Sequence, residues 1–132
     1  MMLKNVGVGS QYLAAYRDTK GEWLDGAKSY KLHLDPNIPV KDFWSIIVYD
    51  AITRSQVATD QGIAGHDSYS TLKTNADGSV DLYFGPIPPK GIESNWIKTR
   101  DDRGFFLYFR AYGPLQPFFD NTWKLNDVEQ VK

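Results

Sequence analysis

The chain has 132 residues, 42% hydrophobic and 14% aromatic, with 15 basic against 16 acidic side chains and no cysteine. That is enough for one domain, residues 1–132, whose core would bury roughly 68–70% of the surface the unfolded chain exposes. Charge this balanced gives no long-range field to gather nucleic acid or an anionic membrane surface, and the lack of cysteine removes disulfides, thiolate nucleophiles and thiolate metal sites together.

Residues 1–10 carry one lysine and no apolar run long enough for a signal-peptide core. No later stretch approaches the ~20 apolar residues of a membrane-crossing helix, so a soluble protein, cytoplasmic by default, is expected. The dominant pattern is period-two alternation in short runs separated by Gly, Pro, Asn and Asp, the pattern of strands joined by turns. Residues 30–34 place Tyr30, Leu32 and Leu34 on one face and Lys31 and His33 on the other, a half-buried strand. Pro36 and Pro39 cannot donate ladder hydrogen bonds and mark an extended approach, with the next strand starting near Asp42. The run Phe43-Trp44-Ser45-Ile46-Ile47-Val48-Tyr49-Asp50 is apolar on both faces and belongs at the centre of a sandwich.

Residues 69–73 and 80–84 flank Asn75-Ala76-Asp77-Gly78-Ser79, a turn composition that predicts a hairpin. Residues 96–99 and 105–112 bracket Arg100-Asp101-Asp102-Arg103-Gly104, which predicts a second, with its charges in solvent and Gly104 in a strained turn position. After Gly113-Pro114, residues 115–121 with Phe118 and Phe119 form a helical turn or core-plugging loop, and residues 123–125 a last strand. The first residues and the tail 127–132 are polar enough to be loosely held. About seven or eight strands without crossover helices make an all-β, antiparallel, jelly-roll-like β-sandwich, with a barrel as the alternative.

In order, the chain shows the 43–50 run with Thr53-Arg54, then Asn75 to Val80, Tyr83-Phe84-Gly85-Pro86, Asn95-Trp96-Ile97, Arg110-Ala111-Tyr112-Gly113-Pro114 and Phe118 to Trp123. These six blocks resemble the bacterial family called domain of unknown function 1214, from about Gly9 to Glu129. The resemblance implies a jelly-roll-like sandwich that usually forms the C-terminal part of proteins also carrying domain of unknown function 1254. It implies no catalytic residue, substrate or cofactor. This sequence shows no such preceding region, so it reads as a short stand-alone member or an excised piece.

Candidate chemistry is sparse. His33 and His66 are the two imidazoles, one on the polar face of its strand and one in the loop Gly65-His66-Asp67, and no spacing pairs them, so neither metal nor cofactor is expected. Gly65-His66-Asp67-Ser68 holds the residue types of a nucleophilic triad, but neighbours in one loop seldom face one another. On residues 105–112, Phe106, Tyr108, Arg110 and Tyr112 share a face and set a guanidinium between phenols. Arg110 reads either as a carboxylate or sugar clamp or as one end of an internal ion pair with Asp50, which Arg54 would also satisfy. Of the four tryptophans, Trp44 is expected in the core, and Trp96 beside Asn95 is expected to be half exposed and open to sugar stacking.

The candidate ligand-binding residues are therefore Arg110, Tyr108, Tyr112, Trp96, Asn95, Asp50 and Arg54. The favoured reading is a non-catalytic interaction or assembly module that packs against another copy or a companion domain. Its rivals are a small-ligand or carbohydrate-binding domain and an enzyme domain that needs a missing upstream region.

Overall fold

The computed structural model describes residues 10–36, 38, 40–68, 70, 72–114 and 125–131. Eight strands are described: β1 (Ser10–Ala15), β2 (Ser29–Leu34), β3 (Val40–Asp50), β4 (Gly65–Asp67), β5 (Val80–Gly85), β6 (Trp96–Lys98), β7 (Phe105–Pro114) and β8 (Glu129–Val131), with one 3-10 turn at Glu93–Asn95. They form two four-stranded sheets, ordered β1-β7-β3-β4 and β6-β5-β2-β8. Every strand pair is antiparallel except β5 with β6, which is parallel. The chain is an all-β sandwich, not a barrel, and among the described residues no helix is long and apolar enough to cross a membrane.

Alternation builds the core. Trp44, Ile46 and Val48 of β3 and Phe105, Leu107, Phe109 and Ala111 of β7 face Leu32 and Leu34 of β2, Leu82 and Phe84 of β5 and Ile97 of β6, all buried. Strand β2 alternates half-buried and buried residues along its length, as its sequence predicts. Strand β3 is interior to its sheet and starts at Val40, not Asp42, with a register shift between Val40 and Phe43. One seam of the sandwich is tied where Thr19 N–H donates to the Val128 carbonyl at 2.9 Å, and the other where His66 and Gln61 bond the Trp96 carbonyl.

Neither predicted hairpin forms. The turn at 75–79 does reverse the chain, with Gly78 at φ +88 and Asn75 N–H bonded to the Ser79 carbonyl. Of the proposed first arm, residues 69 and 71 lie outside the described residues, and Ser70, Leu72 and Lys73 are not in a strand. Strand β5 instead pairs with β2 and β6, while Lys73 is held by the Asn95 side chain. The turn at 100–104 carries the chain from one sheet to the other, because β6 pairs with β5 and β7 with β1 and β3. Gly104 does not adopt positive φ. The close approach falls at Gly26, where a Cβ would lie 1.8 Å from the Arg100 carbonyl oxygen, so the loop before β2 packs against the 100–103 backbone.

The tail is not loose throughout: Val128 is buried and Glu129–Val131 pairs with β2. The predicted plug at 115–121, and residues 123 and 124 of the predicted last strand, lie outside the described residues, and Leu125 packs against the core without being in a strand.

Candidate functional site

Strand β7 sends Phe105, Leu107, Phe109 and Ala111 inward, so Phe106, Tyr108, Arg110 and Tyr112 stand on the outer face of their sheet. Register sets their neighbours: Tyr12 and Ala14 of β1 lie opposite Arg110 and Tyr108, and Phe43, Ser45, Ile47 and Tyr49 of β3 lie opposite Tyr112, Arg110, Tyr108 and Phe106. Phe106 is sandwiched between Tyr16 at 5.1 Å and Tyr49 at 5.4 Å, with Tyr108 edge-on at 5.5 Å. Tyr112 stacks on Phe43 at 4.3 Å. Such pairs gain ~0.5–1.5 kcal/mol beyond area burial, and they leave Phe106, an outer-face residue, only 3% exposed.

Arg110 stands over the Tyr12 ring at 5.2 Å. Its Nη1 donates to the Tyr112 hydroxyl at 3.4 Å and its Nη2 to the Tyr49 hydroxyl at 3.3 Å, while its buried Nε–H has no partner among the described residues. The Tyr112 hydrogen bond holds the guanidinium pKa above its ordinary value against the opposing effect of burial. The Tyr108 hydroxyl, hydrogen-bonded to Tyr16 and close to that second phenol, has its pKa raised. Arg54 reaches the same face from the loop after β3, taking the left-handed φ of 62 and lying 5.4 Å from the Phe106 ring.

The internal ion pair proposed for Asp50 exists with a different partner. Asp50, 4% exposed, accepts from Arg103 Nη1 at 2.7 Å and from the backbone N–H groups of Ile52 and Thr53, and it bonds the side chain of neither Arg54 nor Arg110. Burial pushes its pKa up, but the hydrogen bonds and the Arg103 charge outweigh that and leave it lowered. Arg103 was expected in solvent with the rest of its turn; the connection between the sheets instead folds it back beneath the end of β3.

The remaining candidates do not join Arg110. Trp96 points outward from the opposite sheet and donates its indole N–H to the Gly85 carbonyl at 2.9 Å. Asn95 is 2% exposed and spent on backbone, accepting from Lys73 N–H and donating to the Lys73 and Asp81 carbonyls. The structure thus brings together Tyr108, Arg110, Tyr112 and Arg54, and places Trp96, Asn95 and Asp50 elsewhere. Sequence reasoning missed Tyr12, Tyr16, Phe43 and Tyr49 as members of the face. The alternation Tyr12-Leu13-Ala14-Ala15-Tyr16 was the available signal for the first two.

His66 lies in β4, not in a loop, and donates Nε2–H to the Trp96 carbonyl at 3.2 Å; burial pushes its pKa below 6.5, so the ring is neutral at pH 7. Ser68 accepts from Trp44 N–H, and Asp67 is bonded to Ser70, so the 65–68 run is not a triad. His33 sits 2.7 Å from Asp81 on the other sheet. Among the described residues no three His, Asp or Glu side chains gather where a metal would be held. An open cleft of about 390 Å³ is lined by Asp60, Lys98, Arg100 and Asp102, whose charges are paired with one another.

Fold and face together define a β-sandwich domain with one aromatic, cationic exterior. The family model described as "Protein of unknown function (DUF1214)" matches residues 9–116, and the chain belongs to that family. Comparison with curated proteins gave no match. Among solved structures, the VPA0106 protein from Vibrio parahaemolyticus is 22% identical with a TM-score of 0.81, over 95% of this chain and 31% of that one. An uncharacterized protein from Burkholderia cenocepacia is 19% identical with a TM-score of 0.65, over 93% of this chain and 30% of that one. The chain thus spans less than a third of the length of either protein.

Proposed function

We propose that this chain is a non-catalytic interaction module that docks a companion polypeptide region through the outer face of β1, β7 and β3. The observation that carries this reading is the concentration of Tyr12, Tyr16, Phe43, Tyr49, Tyr108 and Tyr112 around Arg110 and Arg54 on one sheet exterior. Aromatic residues and arginine are the types enriched at protein interfaces, and a sheet exterior offers a broad surface, unlike the enclosed cleft that small ligands require.

The occupant is argued from two facts. In both solved relatives more than two thirds of the chain lies outside the part shared with this sandwich, so this fold occurs beside a large companion region. A second copy is a poor fit: a face-to-face dimer would bring two Arg54 and two Arg110 side chains together, and like charges across an interface cost several kcal/mol.

Sedimentation velocity of the chain purified from its native cells tests this, using one variant on each exterior. Tyr16 is 37% exposed, so Tyr16→Arg is compatible with folding and is expected to release the chain from its complex, whereas Lys31→Glu on the opposite sheet is expected to leave the complex intact. A self-associated chain, or a complex indifferent to Tyr16→Arg, would contradict the reading.

A further inference from the structure

Arg110 is half-buried, yet among the described residues no carboxylate lies within ion-pair distance of it, and its Nε–H is an orphan donor. Its two hydrogen bonds, at 3.4 Å and 3.3 Å, are longer than the usual 2.7–3.2 Å range and go to phenol oxygens. A guanidinium can only donate, so Tyr112 and Tyr49 are the acceptors and each keeps its own O–H to give. Among the described residues the full positive charge of the guanidinium is therefore met by two phenol oxygens, each with a hydrogen of its own to give, and by the Tyr12 ring 5.2 Å away.

We infer that Arg110, Tyr49 and Tyr112 form a carboxylate-recognition site. Resting on the docking reading above, its occupant is an Asp or Glu side chain of the companion region. A carboxylate is planar, anionic and accepts without donating, which matches the fork of the guanidinium and the spare hydrogens of both phenols. An amide or a sugar hydroxyl would bring donors of its own to a ring already made of donors. Register sets Tyr12 and Ser45 on the two sides of Arg110, so one of its neighbours on the sheet face is a small side chain.

The test is nuclear magnetic resonance of the labelled chain titrated with N-acetyl-aspartate amide and, separately, with its neutral isostere N-acetyl-asparagine amide. The aspartate compound is expected to move the Arg110 Nε–Hε signal and the Tyr49 and Tyr112 ring signals, saturating in the millimolar range, while the asparagine compound leaves them in place. Arg110→Gln abolishes the tyrosine shifts. Tyr112→Phe, which keeps the ring on Phe43 and removes one hydroxyl, weakens binding roughly 2–10-fold. No response of Arg110 to the aspartate compound, or the same response to sulfate at equal ionic strength, would overturn the site. That failure, with a complex still released by Tyr16→Arg, leaves the docking reading standing. Aspartate binding at Arg110 with a complex indifferent to Tyr16→Arg overturns the side-chain source and assigns the site to a free carboxylate.

Discussion

The two exteriors of the sandwich follow the same alternation and treat charge in opposite ways. On the β6-β5-β2-β8 sheet, a His33 ring nitrogen lies 2.7 Å from Asp81 and Lys98 lies 2.6 Å from Asp60, so each of these carboxylates has a side-chain partner at the surface. On the β1-β7-β3-β4 sheet, Arg54 and Arg110 rest on aromatic rings and phenol oxygens with no carboxylate against them among the described residues. Two arginines make the contrast sharpest: Arg103 is bonded to Asp50 at 2.7 Å, whereas the contacts of Arg110 are long and neutral. Alternation decides which side chains face outward; among the described residues, charge compensation is what distinguishes the two exteriors.

The largest effect that would break this comparison is on the aromatic layer. Phe106 is 3% exposed although it faces out, so Phe106→Ala is expected to cost ~3–5 kcal/mol, as a core aromatic does. Tyr83, facing out from the opposite sheet and half-buried, should cost ~1 kcal/mol when changed to Ala. Urea unfolding of both variants measures the difference, and equal losses would erase the contrast between the exteriors.

A smaller, two-sided effect separates the arginines. Arg103→Leu leaves the buried Asp50 carboxylate without its ion-pair partner and is expected to lower the urea midpoint, whereas Arg110→Leu removes a charge that no carboxylate among the described residues offsets and is expected to leave the midpoint unchanged or raised. The acid limb adds a check. The folded pKa of Asp50 lies below its unfolded value of 3.8, so its contribution is full above pH 3.8 and is lost as pH falls through the lower folded value. In Arg103→Leu the folded value moves up toward the unfolded one, so less stability is lost over the same acid range than in the unmutated chain.

The smallest effect concerns the seam between the sheets. The pKa of His66 is depressed below 6.5 by burial, so the unfolded chain takes up a proton in a range where the folded chain does not. Stability should fall as pH drops from above 6.5 toward the folded value, by up to ~1.4 kcal/mol per unit of depression. His66→Gln should flatten that slope in unfolding series between neutral and mildly acid pH.

Much of this was legible in the residues. Strands β2, β3, β5 and β7 announced themselves by alternation and β-branched content, and the shared face of Phe106, Tyr108, Arg110 and Tyr112 followed from period two alone. Partnership was not legible, because a turn composition such as 100–104 reverses or redirects a chain without stating whether the next strand joins the same sheet. The same limit hid Tyr49 and Tyr12 from Arg110, since their proximity depends on register between strands far apart in sequence. It also misassigned Asp50, whose true partner lies 53 residues along the chain in a turn that charge alone had placed in water.

Tyrosine footprinting tests the central claim most directly, by comparing oxidation of Tyr12 and Tyr16 with that of Tyr83 in the isolated chain and in the assembly recovered from native cells. The account predicts that Tyr12 and Tyr16, 48% and 37% exposed in the free chain, become protected in the assembly while Tyr83 is unchanged. Protection of Tyr83 with Tyr12 and Tyr16 still labelled at their free rate would contradict it.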